Sequence, residues 1–381
     1  MQTHRVSFNR ACISEKGLDY VREATTGGRI SGDGPFTKRC SELLESESGA
    51  SRVLLTSSCT HALELAALLL DLQPGDEVIM SSFTFVSTAN AFILRGARPV
   101  FVDIRPDTLN MDEKLIEPLI TNRTRAIVPV HYAGVGCEMD AIVDVASSHG
   151  ISVVEDNAQG LFGRYKGRPL GSFGCVSAVS FHETKNITCG EGGALFINDE
   201  SLVEHAEILR EKGTNRAQFL RGQIDKYTWR SIGSSYLLSD ILAAVLLAQL
   251  EERESIQQKR KEIWEFYEAE LTSWADANGV SLPTVPEHCE PTHHIFYLIL
   301  PTAESRTRFI ENLSRAGIRA TSHYEPLHTS PMGATWGYAP GDLPVTERVA
   351  GRLVRLPLHL GLTKTDLERV CHAIHRLQGG A

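Results

Sequence analysis

The sequence predicts an α/β protein in which a mainly parallel central sheet is covered by helices and followed by a smaller C-terminal α/β domain. Between about residues 52 and 200, short apolar segments typical of strands alternate with longer segments that have helical periodicity. The strand-like segments are apolar on both faces, which is typical of parallel strands buried beneath helices. The chain has 381 residues, 42% of them hydrophobic, so it is long enough to form a substantial core.

The predicted elements of the first half follow one another in a regular order. RVLLT is a strand and ALELAALLL is the helix after it, while PGDEVIM leads into a helix through VSTANAFILRG. PVFVDI, AIVPVHY, ISVVED and CVSAVSF are further strands, with the helix MDAIVDVASSHG between the second and the third. Because functional groups of such folds gather at the carboxyl ends of the strands, the residues that follow each strand are the candidates for a site.

The second half divides into a basic segment, a long helix and a C-terminal module. Residues 205–230 are rich in Arg, Lys, Gln and Asn and have few aliphatic residues after Leu209, so we interpret them as a long ordered loop. Helical periodicity then runs from about Leu237 through EAEL. From about residue 290 the pattern predicts a strand HIFYLIL, a helix RTRFIENLSRAG, a strand IRATSHY and two closing helices. We therefore predict a large domain over residues 1–250 and a small domain over residues 251–381.

Charge, hydropathy and cysteine spacing argue against several classes of function. The formal net charge is −9, so the chain has no general basic field for nucleic acid or an anionic membrane. No stretch approaches the roughly 20 apolar residues of a membrane-inserted helix, and MQTHRVSFNR lacks the apolar run of a secretory signal. The eight cysteines are scattered without a CxxC pair, so we expect reduced thiols in a cytoplasmic protein and no metal site.

Four features at predicted strand ends each have a functional and a structural interpretation. In TSSCT (residues 56–60), helix N-terminal amides and hydroxyls can bind phosphate, but the same residues are typical of a plain Ser/Thr N-cap. Asp156, in VVEDNAQG, can keep a pyridine nitrogen protonated, or it can be a solvated acid or cap. Lys185, in SFHETKNITCGEGGA, can condense with an aldehyde and later transfer a proton, or it can be an ordinary solvated cation. Phe85, in SFTFVSTAN, can stack on a flat ring or fill core.

Together, and in this order, the four features match the chemistry of pyridoxal 5'-phosphate (PLP). The chain also carries SGDGPFT, PGDEVIM, TFVSTANA, PVHYAG, VVEDNAQG, SFHETKNITCGEGGA and SSYLLSD in sequence. With these stretches it resembles the DegT/DnrJ/EryC1/StrS sugar aminotransferases, which are fold-type I PLP-dependent transferases with an aspartate aminotransferase-like fold. The resemblance covers nearly the whole chain.

The resemblance implies a role for each candidate residue. Lys185 would hold PLP as an internal aldimine, Asp156 would pair with the pyridine nitrogen, and Gln159 would lie near the ring hydroxyl. Phe85 would stack on the ring. The residues that would bind the cofactor phosphate are Ser58, Cys59, Thr60 and Ser180.

Further features of the family concern the chemistry and the assembly. Some relatives carry histidine at the lysine position and act as dehydratases, so Lys185 favours transamination. Ser235 stands where many relatives have an asparagine that reaches the neighbouring subunit's phosphate. Because serine is shorter, the resemblance does not decide whether Ser235 makes this contact. His182 would line the site without a definite role. The resemblance implies a homodimer with shared active sites.

Within the family, EKGTNRAQFLRGQIDKYTWRSIGSSYLLSD, VHYAGVGCEMD and HYEPLH resemble the enterobacterial transaminases that make dTDP-4-amino-4,6-dideoxygalactose. The implied acceptor is dTDP-4-dehydro-6-deoxy-D-glucose, the donor is L-glutamate, and the product would enter surface polysaccharide (lipopolysaccharide or enterobacterial common antigen) synthesis. The candidate substrate-binding residues are Arg216, Arg221, Lys226, Tyr227, His323, Tyr324 and His328. The basic residues of the 205–230 segment can contact a diphosphate or form a solvated loop, and HYEPLH can equally be a strand end and turn.

Other functions remain as alternatives. A PLP-dependent sugar dehydratase would share most of the pocket. A transaminase could also give the gluco-configured 4-amino product from the same ketosugar, or it could use another nucleotide-linked ketosugar. A nucleotide-binding Rossmann enzyme is disfavoured because GDGPFT and GVGCEM lack GxGxxG spacing after a strand and no P-loop is present. A non-catalytic regulator with this fold would more naturally have lost Lys185 or Asp156.

Overall fold

Strands and helices alternate between about residues 52 and 156, as the sequence predicts, whereas the strands between residues 152 and 197 follow one another without an intervening helix. The computed structural model describes residues 5–377. Its α-helices are α1 (Glu15–Thr26), α2 (Pro35–Ser48), α3 (Cys59–Leu69), α4 (Val86–Ile93), α5 (Met139–His149), α6 (Val203–Arg210), α7 (Arg216–Leu220), α8 (Asp240–Glu251), α9 (Arg253–Asn278), α10 (Ala303–Arg315), α11 (Pro331–Ala334), α12 (Pro344–Arg352) and α13 (Lys364–His375). Short 3₁₀ helices lie at Glu113–Leu115, Glu117–Leu119, Tyr132–Gly134 and Glu200–Leu202.

The strands form one large sheet and two small ones. They are β1 (Arg52–Thr56), β2 (Glu77–Ser81), β3 (Arg98–Val102), β4 (Thr124–Val128), β5 (Ser152–Asp156), β6 (Arg164–Tyr165), β7 (Arg168–Pro169), β8 (Val176–Ser180), β9 (Gly193–Ile197), β10 (Cys289–Glu290), β11 (Tyr297–Ile299) and β12 (Leu353–Arg355). The large sheet has seven strands in the order β1-β9-β8-β5-β4-β2-β3. From β3 to β8 the pairs are parallel, whereas β9 runs antiparallel to both β1 and β8. The prediction of a mainly parallel sheet is confirmed.

Helices cover both faces of this sheet because its strands are apolar on both sides. Leu54 of β1 belongs to the cluster that contains α3 and α4, while its neighbours Val53 and Leu55 pack with α2 and α8. Ile127 of β4 packs with α5 in a further cluster on the sheet. Alternate residues of one strand therefore face opposite helical layers, as the period of two requires.

Helix ends follow from capping chemistry. Thr302 and Thr363 begin α10 and α13 with reciprocal capping boxes. The long helix α9 ends at Gly279, whose φ of 62° is in the left-handed region that glycine adopts without cost. Among residues 5–377, no helix is both long enough and apolar enough to cross a membrane.

The C-terminal half has its own apolar cluster. Residues of α9, α10, α13 and the strands β11 and β12 form it, and Val6 joins them through a bridge to Ile318. Helix α9 buries Ile263, Trp264 and Tyr267 in this cluster, whereas α8 buries its residues against the large sheet. We keep the division into residues 1–250 and 251–381 as a proposal, with the junction between α8 and α9 as its physical basis.

Two sequence predictions for the second half are wrong in detail. The 205–230 segment is not one loop, because α6 extends through Arg210 and the short helix α7 follows. IRATSHY forms no strand; only Ile318 and Thr321 make single bridges, and Thr321 pairs there with Arg355 of β12, a strand that the sequence analysis missed. An isolated bridge lacks the repeated hydrogen bonds of a strand ladder, so the sequence shows no alternation of apolar and polar residues by which it could be recognised.

Gly193, the first residue of β9, allows a close approach that a larger residue would prevent. An added Cβ would lie 2.4 Å from the backbone nitrogen of Cys59 and 2.4 Å from the carbonyl carbon of Ser58. We expect Gly193→Ala to lower the free energy of unfolding by about 1–3 kcal/mol, because rigid backbone atoms must shift. Urea unfolding followed by circular dichroism measures this change.

Gly351 provides a matched control for this substitution. It lies within α12, and the nearest atom to its added Cβ is 3.9 Å away. Gly351→Ala should leave stability unchanged or raise it by up to about 1 kcal/mol, since alanine loses less backbone entropy in a helix. Equal stability of the Gly193→Ala variant and the wild-type protein would contradict the proposed steric role of Gly193.

Candidate active site

A cavity of about 620 Å³ lies where the carboxyl ends of β5 and β8 meet the N-terminus of α3. This volume is within the range of sites that bind cofactors and other small molecules. The predicted site residues that line it are Ser58, Cys59, Thr60, Phe85, Asp156, Gln159, Ser180, His182, Lys185, His323 and Tyr324. The parallel sheet thus brings most of the candidates from separate motifs into one place.

Lys185 lies in the connection between β8 and β9 with its side chain half-buried. The connection is held by a bridge between His182 and Gly190 and by a 2.9 Å hydrogen bond from the Lys185 backbone N–H to the carbonyl of His182. Within residues 5–377, no hydrogen bond or ion pair engages the Lys185 amine. Burial lowers the pKa of this amine below its usual value, and the nearby Asp156 carboxylate offsets that only in part. A larger neutral fraction makes the amine a better nucleophile.

Asp156, the last residue of β5, is nearly buried with its carboxylate fixed in orientation. Oδ2 accepts a hydrogen bond from the Thr88 hydroxyl at 2.7 Å, and Oδ1 accepts one from the Ala158 backbone N–H at 3.2 Å. Thr88 is itself bonded to the Thr84 hydroxyl at 2.9 Å. Each carboxylate oxygen can accept a second bond, so the group retains capacity to accept one from a protonated ring nitrogen.

The N-terminus of α3 forms one end of the cavity. The Ser58 hydroxyl accepts from the His61 backbone N–H at 3.1 Å, so Ser58 is an N-cap as well as a cavity residue. The Thr60 hydroxyl bonds to the Ser87 hydroxyl at 2.8 Å, and burial raises the pKa of the Cys59 thiol. The first turn of a helix presents unpaired backbone N–H groups and the positive end of the helix dipole, which together suit a phosphate.

Aromatic and amide side chains form the opposite part of the lining. Phe85 is 57% exposed, so it does not fill core, and its ring centroid is 6.4 Å from that of Tyr324. Gln159 accepts from the Ala133 backbone N–H at 2.8 Å and donates to the Tyr324 hydroxyl at 3.2 Å. The His323 ring stacks on that of Tyr324 with 3.5 Å between centroids. These contacts orient the rings that face the cavity.

Several predicted substrate-binding residues lie outside this cavity. Arg221 makes two 2.8 Å bonds to Glu207, and Arg216 pairs with Glu211 at 3.1 Å, so these guanidinium groups already have carboxylate partners. Tyr227 packs against Phe219, whereas Lys226 is exposed. Ser235, for which the resemblance implied a contact with the cofactor phosphate, is also exposed and bridges to Glu211. None of these residues lines the cavity.

His328 also lies outside the cavity, which corrects its prediction as a substrate contact. Its ring is fully buried, with Nδ1 bonded to the Ser82 hydroxyl at 2.7 Å and Nε2 to Glu347 at 3.0 Å. The turn around Pro326 therefore places His323 and Tyr324 at the cavity and His328 in the interior. Among the HYEPLH residues that were predicted to contact substrate, His328 therefore has a structural role.

The cavity includes residues that the sequence analysis did not select. Thr88 orients Asp156 through a hydrogen bond. Its position within the motif TFVSTANA could have identified it as a site residue. His294 bonds through Nδ1 to the Asn186 side chain at 2.8 Å. Arg355 and Phe8 reach the cavity from distant segments that carry no recognisable pattern. No cluster of His, Cys, Asp or Glu with the geometry of a metal site occurs in the described part of the chain.

Comparison with known proteins agrees with this geometry. Residues 11–375 match the DegT/DnrJ/EryC1/StrS aminotransferase family. A UDP-4-amino-4-deoxy-L-arabinose–oxoglutarate aminotransferase from Shewanella sediminis is 34% identical over 380 residues, which is 97% of each chain. GDP-perosamine synthase from Caulobacter vibrioides is 33% identical over 378 residues, or 98% of each chain. The PLP form of Spr1654 from Streptococcus pneumoniae superposes with a TM-score of 0.90 at 28% identity, covering 98% of each chain.

The fold and the site therefore define a PLP-dependent sugar aminotransferase of fold-type I. The chain belongs to the DegT/DnrJ/EryC1/StrS aminotransferase family. The residues of the cavity also fit the cofactor in their own chemistry. Within residues 5–377 they supply an amine without a hydrogen-bond partner and a carboxylate that can accept a further hydrogen bond. They also supply a helix N-terminus, which the neighbouring strand approaches closely because residue 193 is a glycine.

The fixed carboxylate of Asp156 leads to a test of its role. We expect Asp156→Asn to bind PLP but to lose about 10²–10⁴-fold in turnover, because an amide cannot keep the ring nitrogen protonated. Absorbance of the bound cofactor and steady-state rates with glutamate measure the two properties separately.

Thr88→Val provides a graded companion to this variant. It removes the 2.7 Å hydrogen bond but keeps the carboxylate, so we expect a loss of only about tenfold. Wild-type rates in the Asp156→Asn variant would contradict the assignment, whatever the Thr88 variant does.

Proposed function

We propose that the enzyme transfers the amino group of L-glutamate to C4 of a nucleotide-linked 4-keto-6-deoxyhexose. The substrate that we favour is dTDP-4-dehydro-6-deoxy-D-glucose, with dTDP-4-amino-4,6-dideoxy-D-galactose and 2-oxoglutarate as products. The observation that carries the proposal is the Lys185 amine, which has no hydrogen-bond or ion-pair partner in the described part of the chain and shares a cavity of about 620 Å³ with the fixed Asp156 carboxylate. Two relatives named for UDP- and GDP-linked aminosugar synthesis support a nucleotide sugar as the acceptor.

PLP, when bound through Lys185, supplies an electron sink next to the reacting carbon. Asp156 holds the proton on the ring nitrogen, since desolvation opposes that charge and the carboxylate offsets the cost. The residues that would hold the phosphate are Ser58, Cys59, Thr60 and Ser180.

Lys185 would act as the acid–base group of both half-reactions. Its Nζ, once free, takes the proton from the α-carbon of glutamate and later returns a proton to C4 of the sugar. The lowered pKa of this amine favours the neutral form that accepts the first proton. The face from which Nζ delivers the second proton decides whether the new amine is axial or equatorial.

Incubation with dTDP-4-dehydro-6-deoxy-D-glucose and glutamate tests the proposal. We expect 2-oxoglutarate and an aminosugar to form in equal amounts, with an axial C4 amine in the NMR spectrum. Lys185→Ala is the control and should lose at least about 10²-fold in rate, because it lacks the proton-transfer group.

The possible outcomes separate the alternatives. An equatorial amine would replace the galacto product by the gluco product and leave transamination intact. Consumption of the ketosugar without an aminosugar would instead favour a dehydratase. Preference for a UDP- or GDP-linked ketosugar would change only the nucleotide that we assign to the acceptor substrate.

We also propose that the enzyme is a cytoplasmic homodimer whose subunits complete each other's sites. The segment between α6 and α8 leaves Trp229 79% exposed and Ile232 56% exposed, which is unusual for large apolar side chains on an isolated surface. Ser235 and the basic residues 216–230 lie in the same segment, so a partner that covers it would receive them. The eight cysteines form no disulfide, consistent with a reducing compartment.

Sedimentation velocity tests the assembly. We expect a dimer of the 381-residue chain, and Trp229→Ser should weaken it because a large apolar contact is lost. Lys261→Ser is a suitable control, since this exposed residue of α9 lies outside that segment. A monomer with full activity would refute the shared site.

A further inference from the structure

Asn186, which follows Lys185 in the chain, ties the connection between β8 and β9 to the C-terminal half of the protein. Its Nδ2 donates to the backbone carbonyl of Thr292 at 2.8 Å and to Oε1 of Gln257 in α9 at 3.0 Å. Its Oδ1 is bonded to Nδ1 of the His294 ring at 2.8 Å. All three partners lie at least 71 positions away along the chain, and the mechanism above gives Asn186 no role.

The segment that receives these bonds is itself held in place. The Thr292 backbone N–H donates to the carbonyl of Gly134 at 3.1 Å, and the Thr292 hydroxyl donates to the carbonyl of Gln159 at 2.7 Å. Arg260, a buried residue of α9, donates to the two backbone carbonyls that follow Thr292. Because Gln159 lines the active-site cavity, Asn186 is bonded to a framework that already carries part of the cavity wall.

The bonds of Asn186 decide which ring nitrogen of His294 carries the proton. Because Nδ2 of Asn186 donates to two oxygen atoms, the remaining polar atom of its side chain is the carbonyl oxygen, which can only accept. Nδ1 of His294 is therefore the donor of their shared bond. In a neutral imidazole the second nitrogen is then an acceptor. Among residues 5–377, Nε2 of His294 has no hydrogen-bond partner, and the residue lines the cavity.

The surroundings of the His294 ring keep it neutral. Burial lowers the pKa of this imidazole well below its usual value, and the basic groups that face it act in the same direction; these are Lys185, Arg260, His323 and Arg355. Its partner at Nδ1 is an uncharged amide, which does not oppose this shift. His294 therefore contributes a lone pair and no charge to the cavity that it shares with Lys185.

A purely structural role would also explain three hydrogen bonds, and Asn198 provides the comparison. Its Nδ2 donates to the backbone carbonyls of Gly171 and Gly174 at 2.9 and 2.8 Å, and it is half-buried, as Asn186 is. Asn198 lies outside the cavity, and within residues 5–377 its amide bonds to no ionisable side chain. Asn186 differs because it adjoins Lys185 and sets the proton of a ring in the cavity wall.

We propose that Asn186 is a positioning residue of the reaction, which fixes the Lys185 connection to α9 and holds His294 as the Nδ1–H tautomer. The unprotonated Nε2 then offers a hydrogen-bond acceptor to the ammonium group that Lys185 carries after it has taken a proton from the amino donor. The proton stays on Nζ, which returns it in the second half-reaction. The proposal rests on the proposed role of Lys185 and not on the identity of the sugar.

Nitrogen-15 NMR of the PLP-loaded enzyme, labelled at its histidine rings, measures the tautomer without turnover. We expect a protonated Nδ1 and an unprotonated Nε2 for His294, with no titration near the usual histidine pKa of about 6.5. His294→Gln identifies the signal among the 14 histidines of the chain. Asn186→Asp should instead give two protonated ring nitrogens at a pH of about 7, because a carboxylate next to Nδ1 favours the imidazolium form.

Separate half-reactions followed by stopped-flow absorbance provide the second readout. Asn186→Ala should lower the maximal rate of both half-reactions roughly 10- to 100-fold, because Lys185 transfers the proton in each. The KM for glutamate should stay within about threefold of wild type, since the proposal concerns the amine and not donor binding. Asn198→Ala is the matched control, and it should leave both rates within about twofold of wild type.

The pH dependence of Asn186→Asp separates the charge of His294 from the loss of packing. Below the raised pKa of His294 the ring is an imidazolium, which cannot accept a hydrogen bond and repels the Lys185 ammonium. The rate of this variant should therefore rise with pH as the ring loses its proton. The double variant Asn186→Asp/His294→Gln should lack that dependence, because no ionisable ring remains at position 294.

Three results would overturn the proposal. These are a protonated Nε2 on His294 in the wild-type enzyme, wild-type rates in Asn186→Ala, and equal losses in Asn186→Ala and Asn198→Ala. Melting temperature and cofactor absorbance verify that the variants fold, and the wild-type tautomer is measured whether or not they do. Full activity of Lys185→Ala would refute the proposed function instead. Because the glutamate half-reaction needs no sugar, failure to use the dTDP-ketosugar would leave these tests intact.

Discussion

The active site depends on the meeting of two parallel strand ends with one helix N-terminus. Asp156 ends β5 and Ser180 ends the adjacent strand β8, so both side chains reach the same edge of the sheet. The connection that follows β8 carries Lys185 back over that edge before β9 begins. Gly193 then lets β9 pass within contact distance of the backbone at Ser58 and Cys59. The amine, the carboxylate and the helix dipole are therefore placed by sheet geometry, and the rest of the cavity is built around them.

Much of this arrangement could be predicted from the sequence because it is local. Strands that are apolar on both faces predicted the parallel sheet, and short polar motifs after each strand predicted which residues would meet at its edge. Ser58, Phe85, Asp156 and Lys185 all belong to such motifs, and all four line the cavity. The N-cap interpretation of Ser58 was correct as well, since capping a helix and lining a site at its N-terminus are compatible.

The remainder of the site could not be predicted because it depends on long-range packing. Phe8 and Arg355 are more than 300 residues apart in the chain, yet one ring stacks on the other's guanidinium. His323 and His328 lie in the same short motif, but a turn sends one to the cavity and the other to Ser82 and Glu347. Similarly, the sequence suggested Arg216 and Arg221 as contacts of a diphosphate. In the structure Arg216 pairs with Glu211, and Arg221 pairs with Glu207. Local sequence does not reveal whether a charged side chain already has a partner.

The distribution of charge also limits how one cavity can serve two unlike substrates. The chain carries a net charge of −9, but salt screens such a field beyond about 8 Å, so anion recognition has to be local. Lys185 and Arg355 are the lysine and arginine of the cavity lining, and Lys185 is engaged whenever the cofactor is bound through it. Among the described lining residues, Arg355 is then the remaining lysine or arginine side chain. A ketosugar has no charge at that carbon and instead presents a ring that suits the aromatic surfaces of Phe85 and Tyr324. The lining of one cavity thus combines a cationic side chain with aromatic surfaces, a mixture that suits two unlike ligands in turn.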